Sequence, residues 1–173
     1  MAQIQVRQEN GHAARTLNDA GEQEAFLRVH GIGYEKWPIS RLESVETQAT
    51  SGGQAHILET FAPEVSRLKS ERGYITADVI GLCPQTENLD VILAKFDKEH
   101  RHSEDEVRFV VDGRGVFTIH SSVDDSVFDV EVVPGDLLMV PRGTWHWFTL
   151  CEDRKITCIR MFRDPSGWVA DYR

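Results

Sequence analysis

Apolar and polar positions follow different patterns in the two parts of the chain. From Leu89 onward, short β-rich apolar runs recur, separated by turn sequences such as Asp112-Gly-Arg-Gly115, Pro134-Gly135 and Pro141-Arg-Gly143. The runs span residues 89–96, 106–111, 115–120, 127–133, 136–140, 145–150 and 156–162. Roughly seven short strands with tight turns and no long helix between them predict an antiparallel sandwich or small barrel.

The first third of the chain shows helical patterns instead. Asp19 and Glu22 resemble a capping box and Gly31 is a stop signal, so a helix is predicted between them. A second helix is predicted in residues 62–73, where apolar residues recur every three positions, a proline occupies the first turn and Gly73 suits the end. The polar residues 43–58 fit either a loop or a weakly amphipathic helix.

Length and composition describe an ordinary globular protein. The chain has 173 residues, of which 40% are hydrophobic and 27% charged. We expect a single domain over residues 1–173, in which residues 1–75 form a partly helical region packed on the barrel.

Charge and hydropathy exclude several classes of partner. The formal net charge of −9 would repel a polyanion, so a nucleic-acid partner is not expected. The longest apolar runs are far shorter than the roughly 20 residues that a bilayer requires, so no membrane association is expected. The first residues lack the apolar core of a secretory signal, which predicts a cytoplasmic protein.

The three cysteines, Cys83, Cys151 and Cys158, are widely spaced and odd in number. This spacing favours reduced thiols over a disulfide framework and does not match a zinc knuckle. None of the three has the sequence context of a catalytic nucleophile.

The segment His100-Arg-His102-Ser-Glu-Asp-Glu106-Val-Arg108 is the strongest candidate for chemistry. If residues 100–108 are extended, their even-numbered positions share one face, so both histidines and Glu106 could converge. His146, near the start of a later strand, could face them across a barrel. Three imidazoles and a carboxylate would hold one first-row divalent metal and leave two adjacent positions open in an octahedral arrangement.

The other four histidines do not join this set. His12, His30 and His56 lie in the front part of the chain, where surface positions are predicted. His120 ends a strand and could be either a core histidine or a residue that supports the metal ligands.

These motifs resemble those of the cupins and, more narrowly, the acireductone dioxygenases of the methionine salvage pathway. The resemblance covers most of the chain. It rests on Phe96, residues 100–109, Gly113-Arg-Gly115-Val-Phe117, Pro134-Gly-Asp136, residues 141–148, Ile159-Arg160-Met-Phe162 and Gly167-Trp168-Val-Ala170, and more loosely on residues 31–37. It implies a mostly β, cupin-type antiparallel barrel (jelly roll), with a few helices mainly in the N-terminal third.

The resemblance also assigns roles to individual residues. It implies that His100, His102, Glu106 and His146 bind one divalent ion. Arg108 would be catalytic and Arg160 would bind substrate, because guanidinium groups suit the paired oxygens of an anionic enediol. The aromatic residues that would line the pocket around an apolar methylthio tail are Phe96, Phe148 and Trp168.

The implied activity is oxygen-dependent cleavage of 1,2-dihydroxy-3-oxo-5-(methylthio)pent-1-ene, an acireductone. Members of the family that hold Fe(II) give 4-methylthio-2-oxobutanoate and formate, whereas members that hold Ni(II) give 3-(methylthio)propanoate, formate and carbon monoxide. The same four ligands serve both metals, and iron is favoured here because the salvage pathway needs the oxo acid. We expect one ion per chain, acireductone and O2 as the only partners, and a monomer.

Two other functions are compatible with the same residues. The first is another metal-dependent cupin enzyme, such as a different dioxygenase or an isomerase acting on a polar small molecule. An isomerase would consume no oxygen. The second is a cupin that binds a ligand or partner without performing chemistry, which would either be indifferent to metal removal or bind without turnover.

Overall fold

A computed structural model describes residues 1–7, 13–42, 51–164 and 170–173. The helices are α1 (Ala20–Val29), α2 (Ser51–Thr60), α3 (Ala62–Arg72) and α4 (Leu89–Leu93), with a short 3₁₀ turn at Ile39–Arg41. The strands are β1 (Gln3–Arg7), β2 (Ala13–Leu17), β3 (Gly33–Lys36), β4 (Thr76–Leu82), β5 (His100–Arg101), β6 (Glu106–Gly113), β7 (Gly115–His120), β8 (Val127–Val132), β9 (Asp136–Val140), β10 (Trp145–Leu150), β11 (Ile156–Phe162) and β12 (Asp171–Tyr172).

The strands form two antiparallel sheets. Seven strands pair in the order β12-β5-β10-β7-β8-β1-β2, and five pair in the order β3-β9-β6-β11-β4. Buried side chains from both sheets share one apolar cluster, in which Phe117 and Phe128 of the larger sheet join Leu138 and Ile156 of the smaller one. The two sheets therefore enclose a common core, and the predicted mostly β architecture is confirmed.

A second apolar cluster covers the other face of the five-stranded sheet. Phe61, between α2 and α3, and Leu68, within α3, pack with Phe109 of β6 and Ile159 of β11. The sheet is thus buried on both faces, which explains why β6, β9 and β11 are buried along nearly their whole length rather than at alternate positions. No helix in the described part of the chain is long and apolar enough to cross a membrane.

The predicted helix signals in the front third are confirmed. The Asp19 side chain accepts a hydrogen bond of 2.9 Å from the backbone N–H of Glu22 at the start of α1. Gly73 ends α3 in the left-handed region at φ +76°, which a residue without Cβ adopts at little cost. Residues 51–58 of the undecided polar segment lie in the helix α2, and residues 43–50 lie outside the described residues.

The prediction of a strand over residues 89–96 is wrong. Leu89–Leu93 forms the short helix α4, followed by a turn, with Asn88 preceding it in the left-handed region at φ 55°. A run of five mostly apolar residues has no period long enough to distinguish a strand from a buried helical turn.

Four strands of the first half were not predicted. They are β1, β2, β3 and β4, and each lies at a sheet edge or beside one. Each pairs with a strand distant in sequence or with its own hairpin partner, as when Ile4 of β1 lies opposite Val130 of β8. Short strands of mixed polarity carry a weak local signal, so tertiary pairing decides them.

Glycine is required at the turn between β6 and β7. Gly113 has φ +71°, and a Cβ at this position would lie 2.1 Å from the backbone oxygen of Lys155. The turn predicted from Asp112-Gly-Arg-Gly115 is therefore confirmed, and it takes the chain from β6 in the smaller sheet to β7 in the larger one, where β7 pairs with β8 and β10.

Candidate metal centre

Four buried side chains converge at one end of the space between the sheets. His100 lies on β5, His102 just after it, Glu106 at the first residue of β6 and His146 on β10. His146 and His100 are direct cross-strand partners, which places their side chains on the same face. One nitrogen or oxygen atom of each of the four residues lies within 4.8 Å of the others.

The path of the chain through this cluster differs from the extended segment that was expected. Residues 100–108 are not one strand, because a bend at Ser103 and Glu104 separates β5 from β6. The bend is held by a 2.9 Å hydrogen bond that the Gly143 N–H donates to the carbonyl of His102. Glu104 turns away and accepts hydrogen bonds from the backbone N–H groups of Arg163 and Asp164. A turn, rather than strand alternation, brings Glu106 back toward the histidines.

Backbone carbonyl groups set the orientation of two imidazole rings. His100 Nδ1 donates to the carbonyl of Lys98 at 2.6 Å, and His146 Nδ1 donates to that of Thr144 at 2.8 Å. A carbonyl oxygen can only accept, so each Nδ1 carries a proton, and Nε2 is the ring nitrogen that can bind a metal when the imidazole is neutral. This is the arrangement that orients imidazole ligands in metal sites.

Glu106 lies between the histidines. Its Oε2 is 2.7 Å from His146 Nε2 and 3.2 Å from His102 Nε2. Burial by itself raises the pKa of Glu106, but Arg108 and the two histidines outweigh burial and hold the pKa well below its usual range. These neighbours therefore favour the ionised form of the Glu106 carboxylate.

The pKa values of His100 and His146 shift in opposite directions. Burial lowers the pKa of His100, which favours the neutral, metal-binding form. Burial also acts to lower the pKa of His146, but the hydrogen bond and charge of Glu106 outweigh it and raise that pKa. A metal cation bound between the four residues would replace His146 as the partner of the Glu106 carboxylate.

The four residues fit a divalent transition metal. Metal–nitrogen and metal–oxygen bonds of about 2.0–2.2 Å place the donors around one ion no more than about 4.4 Å apart, close to the observed spread. Three imidazoles and one carboxylate suit iron, nickel, zinc or copper better than magnesium or calcium. Both the donor set and the spacing indicate a metal site of three histidines and one glutamate.

A narrow pocket adjoins this site between the sheets. It is lined by the predicted residues Phe96, Arg108, Phe148 and Arg160, together with Glu106. The backbone N–H of Phe148 donates a 2.8 Å hydrogen bond to the carbonyl of Phe96, which fastens the segment after α4 to β10. Trp168, the remaining predicted pocket residue, lies outside the described residues.

The two arginines in the pocket have different anionic partners. Arg108 is buried, with Nη2 2.8 Å from Oε1 of Glu106, and burial lowers its pKa. Arg160 pairs instead with Asp78 of β4. Both arginines line the pocket, and they lie directly opposite each other on β6 and β11.

Several residues of this wall were not identified in the sequence. Ile80, Leu82 and Cys158 line the same pocket, and Asp78 contacts Arg160 at its rim. Three of the four belong to β4, which was not predicted as a strand. The β-branched residues of Ile75-Thr-Ala-Asp-Val-Ile80, directly after the helix stop at Gly73, were the available signal.

The histidines outside the cluster have separate roles. The expected surface position of His30 is wrong, because its side chain is only 5% exposed and its Nδ1 lies 2.8 Å from Ser121 Oγ. His30 also packs against the ring of Phe128, so it joins α1 to the larger sheet. His120 pairs with Glu99, the neighbour of a metal-site histidine, at 2.9 Å. His12 lies outside the described residues.

Comparisons of the sequence with protein-family models and with known proteins identify the same family. A model of the ARD/ARD′ family matches residues 38–170. The chain is 46% identical over 159 residues to the acireductone dioxygenase of Exiguobacterium sibiricum, which covers 89% of this chain and 87% of that protein. It is 43% identical over 175 residues to the acireductone dioxygenase of Bacillus cereus strain ATCC 10987, with 99% and 100% covered.

A solved structure shows the same fold over the full chain. The acireductone dioxygenase from Bacillus anthracis, with a cadmium ion in its active centre, matches this chain with a TM-score of 0.92 at 41% sequence identity. The match covers 99% of this chain and 98% of that one.

Proposed function

The chain belongs to the ARD/ARD′ family, and from that premise we propose that it is an acireductone dioxygenase of methionine salvage. The substrate is 1,2-dihydroxy-3-oxo-5-(methylthio)pent-1-ene, and both atoms of O2 enter the products. The observation that carries the proposal is the position of the buried three-histidine, one-glutamate site directly beside a pocket with two arginines.

In this proposal His100, His102, Glu106 and His146 hold one Fe(II) or Ni(II) ion. Such an ion supplies Lewis acidity and a template for two substrate oxygens, and it leaves coordination positions open because the protein provides only four ligands. The orientation of His100 and His146 by backbone carbonyl groups prepares the site before the ion enters.

Arg108 is the catalytic residue in this proposal and Arg160 a substrate-binding residue. Both guanidinium groups lie on the pocket wall, where they hold and neutralise an enediolate. Arg108 favours the anionic, electron-rich form of the substrate, because a buried cation stabilises negative charge more strongly than an exposed one.

The apolar part of the pocket binds the substrate's tail. Phe96 and Phe148 are joined through their backbones and lie together with Ile80 and Leu82 around a space of suitable polarity for a methylthio group. The same side chains exclude water from the reacting centre. Trp168 is assigned to this pocket by its motif alone.

The products depend on the metal in this proposal. The Fe(II) form gives 4-methylthio-2-oxobutanoate and formate, and the Ni(II) form gives 3-(methylthio)propanoate, formate and carbon monoxide. Iron is the proposed physiological ion, since the salvage pathway consumes the oxo acid.

The chain acts as a monomer in the cytoplasm, and residues 1–173 form one domain.

The test is oxygen uptake by metal-free protein loaded separately with Fe(II) and with Ni(II), using synthetic acireductone and identifying the products. The expected result is uptake with both ions and carbon monoxide only from the nickel form. Metal-free protein measured in parallel corrects for spontaneous oxidation of the substrate. If neither loaded form exceeds that background, the proposal is wrong, and substrate conversion without oxygen would instead indicate an isomerase.

A further inference from the structure

Three charged residues form a row across the five-stranded sheet. Asp78 of β4 lies directly opposite Arg160 of β11, and Arg160 lies directly opposite Arg108 of β6. Directly opposed residues in antiparallel strands project from the same face of the sheet. That face is the wall of the pocket, because both arginines line it.

The Asp78 carboxylate accepts two hydrogen bonds from the guanidinium group of Arg160. Arg160 Nε donates to Asp78 Oδ1 at 2.8 Å, and Nη2 donates to Oδ2 at 2.6 Å. A two-point contact between planar groups fixes the rotation of the guanidinium as well as its position. Arg160 also extends over the ring of Phe162, with its Cζ 5.3 Å from the ring centroid.

Arg160 needs such a constraint because of its surroundings. Its side chain is 23% exposed and can therefore reach solvent. It also lies beside the like charge of Arg108. Without an anionic partner, repulsion and rotational freedom would both favour positions outside the pocket. Arg108 has no such freedom, because it is buried and is held by Glu106 at 2.8 Å.

We propose that Asp78 is a positioning residue that holds the Arg160 guanidinium toward the pocket and thereby sets the affinity of the site for an anionic, chelating ligand. The identity of that ligand as an enediolate rests on the proposed function. Asp78 is 47% exposed and lies at the rim. It therefore acts through Arg160 and contributes no atom to the metal site.

The central variant is Asp78→Asn, which keeps the size of the side chain and removes its charge. We expect KM for acireductone to rise about 10-fold while kcat changes less than about threefold, because substrate holding is impaired and the metal site is intact. Asp78→Glu should recover most of the loss. The matched control is Asp129→Asn, which breaks a similar two-point pair with Arg7 on the other sheet.

Binding of oxalate provides a readout that does not depend on turnover. Oxalate is a chelating dianion that does not react with O2, and calorimetry with the Ni(II)-loaded protein gives its Kd. We expect Asp78→Asn to raise this Kd for oxalate about 10-fold. Metal content and melting temperature should stay near those of the unsubstituted protein, because a partly exposed ion pair contributes little to stability.

A double-substitution cycle tests whether Asp78 acts through Arg160. In an Arg160→Met background, Asp78→Asn should produce no further change in KM or in the Kd of oxalate. Additive losses would overturn the proposal, as would an Asp78→Asn protein with unchanged KM and Kd. An inactive parent protein whose oxalate affinity depends on Asp78 would refute the dioxygenase function alone. Absence of both activity and oxalate binding in the parent would refute both.

Discussion

Arg108 and Glu106 share a direct ion pair, with Arg108 Nη2 2.8 Å from Glu106 Oε1. The other carboxylate oxygen of Glu106 faces His146 at 2.7 Å. A single carboxylate thus joins the pocket arginine to the metal-binding histidines. The anion-binding wall and the metal site are therefore one connected unit rather than two neighbouring ones.

This connection predicts that Arg108→Met weakens metal binding as well as activity. Loss of a residue that supports a ligand typically costs about 10- to 100-fold in metal affinity, and we expect a change of that size. Competition with a chelator measures it. Arg160→Met is the matched control, since that arginine forms its ion pair with Asp78. Equal metal affinity in the two variants would contradict the connection.

Replacing His102 by alanine removes one of the four candidate ligands. We expect purified His102→Ala protein to retain almost no iron or nickel and to lose turnover, because three ligands hold a divalent ion much less firmly. Metal content per chain gives the result directly. His56→Ala on α2 is the control and should keep a full complement, and an equal metal content in both variants would remove His102 from the site.

The cysteines should differ in their rates of alkylation at pH 8. A hydrogen bond from the Thr86 side chain lowers the pKa of Cys83, which increases its reactive thiolate fraction. Burial raises the pKa of Cys158 to about 11, and Cys158 is only 3% exposed. Peptide mapping after timed exposure to iodoacetamide should show Cys83 modified first and Cys158 last. Early modification of Cys158 would contradict its buried position in the pocket.

The raised pKa of the Cys158 thiol predicts that the free energy of unfolding falls at alkaline pH. Folding raises the pKa of Cys158 from 9.0 to about 11, so the native state binds this proton more tightly than the unfolded state. The associated stability is present below pH 9 and is lost as the pH rises toward 11, by about 1 to 3 kcal/mol. Denaturant unfolding at several pH values should show a shallower decline in Cys158→Ala than in the parent. Parallel declines would show that another group is responsible.

The packing of Phe61 predicts that the front region and the barrel unfold together. Its ring packs edge-on against Phe109 of β6, with centroids 4.6 Å apart, and stacks on Trp37. Phe61→Ala should cost about 3–5 kcal/mol and shift one cooperative transition. Val29→Ala, at a position 65% exposed, should change stability by less than about 0.5 kcal/mol. Two separate transitions would contradict the proposal of a single domain.

Local sequence patterns were reliable where the determining residues are close together in the chain. Asp19 and Gly73 mark helix ends through their own side chain or backbone, and both signals are confirmed. The turn at Gly113 is similar, because its positive φ depends on the residue itself. The patterns failed at residues 89–96, where a short apolar run fits more than one element.

The residues of the candidate site also divide into those that a short sequence motif revealed and those that only tertiary packing brings together. His100, His102 and Glu106 fall within seven positions, so their motif was visible, although the bend at Ser103 that brings them together was not. His30 was misassigned to the surface, because only packing of α1 on the larger sheet buries it. Asp78 was overlooked, since its relation to Arg160 depends on the register of two strands.

The sequence by itself determined the types of chemical group, the turn positions and the motif that holds His100, His102 and Glu106, because these depend on residue chemistry and short spacings. Tertiary structure alone decided which groups meet: Glu106 reaches His146 across 40 positions, and Asp78 reaches Arg160 across 82. Strand pairing sets those contacts, and its register depends on which side chains the sheets bury when strands distant in sequence come together, rather than on any local pattern.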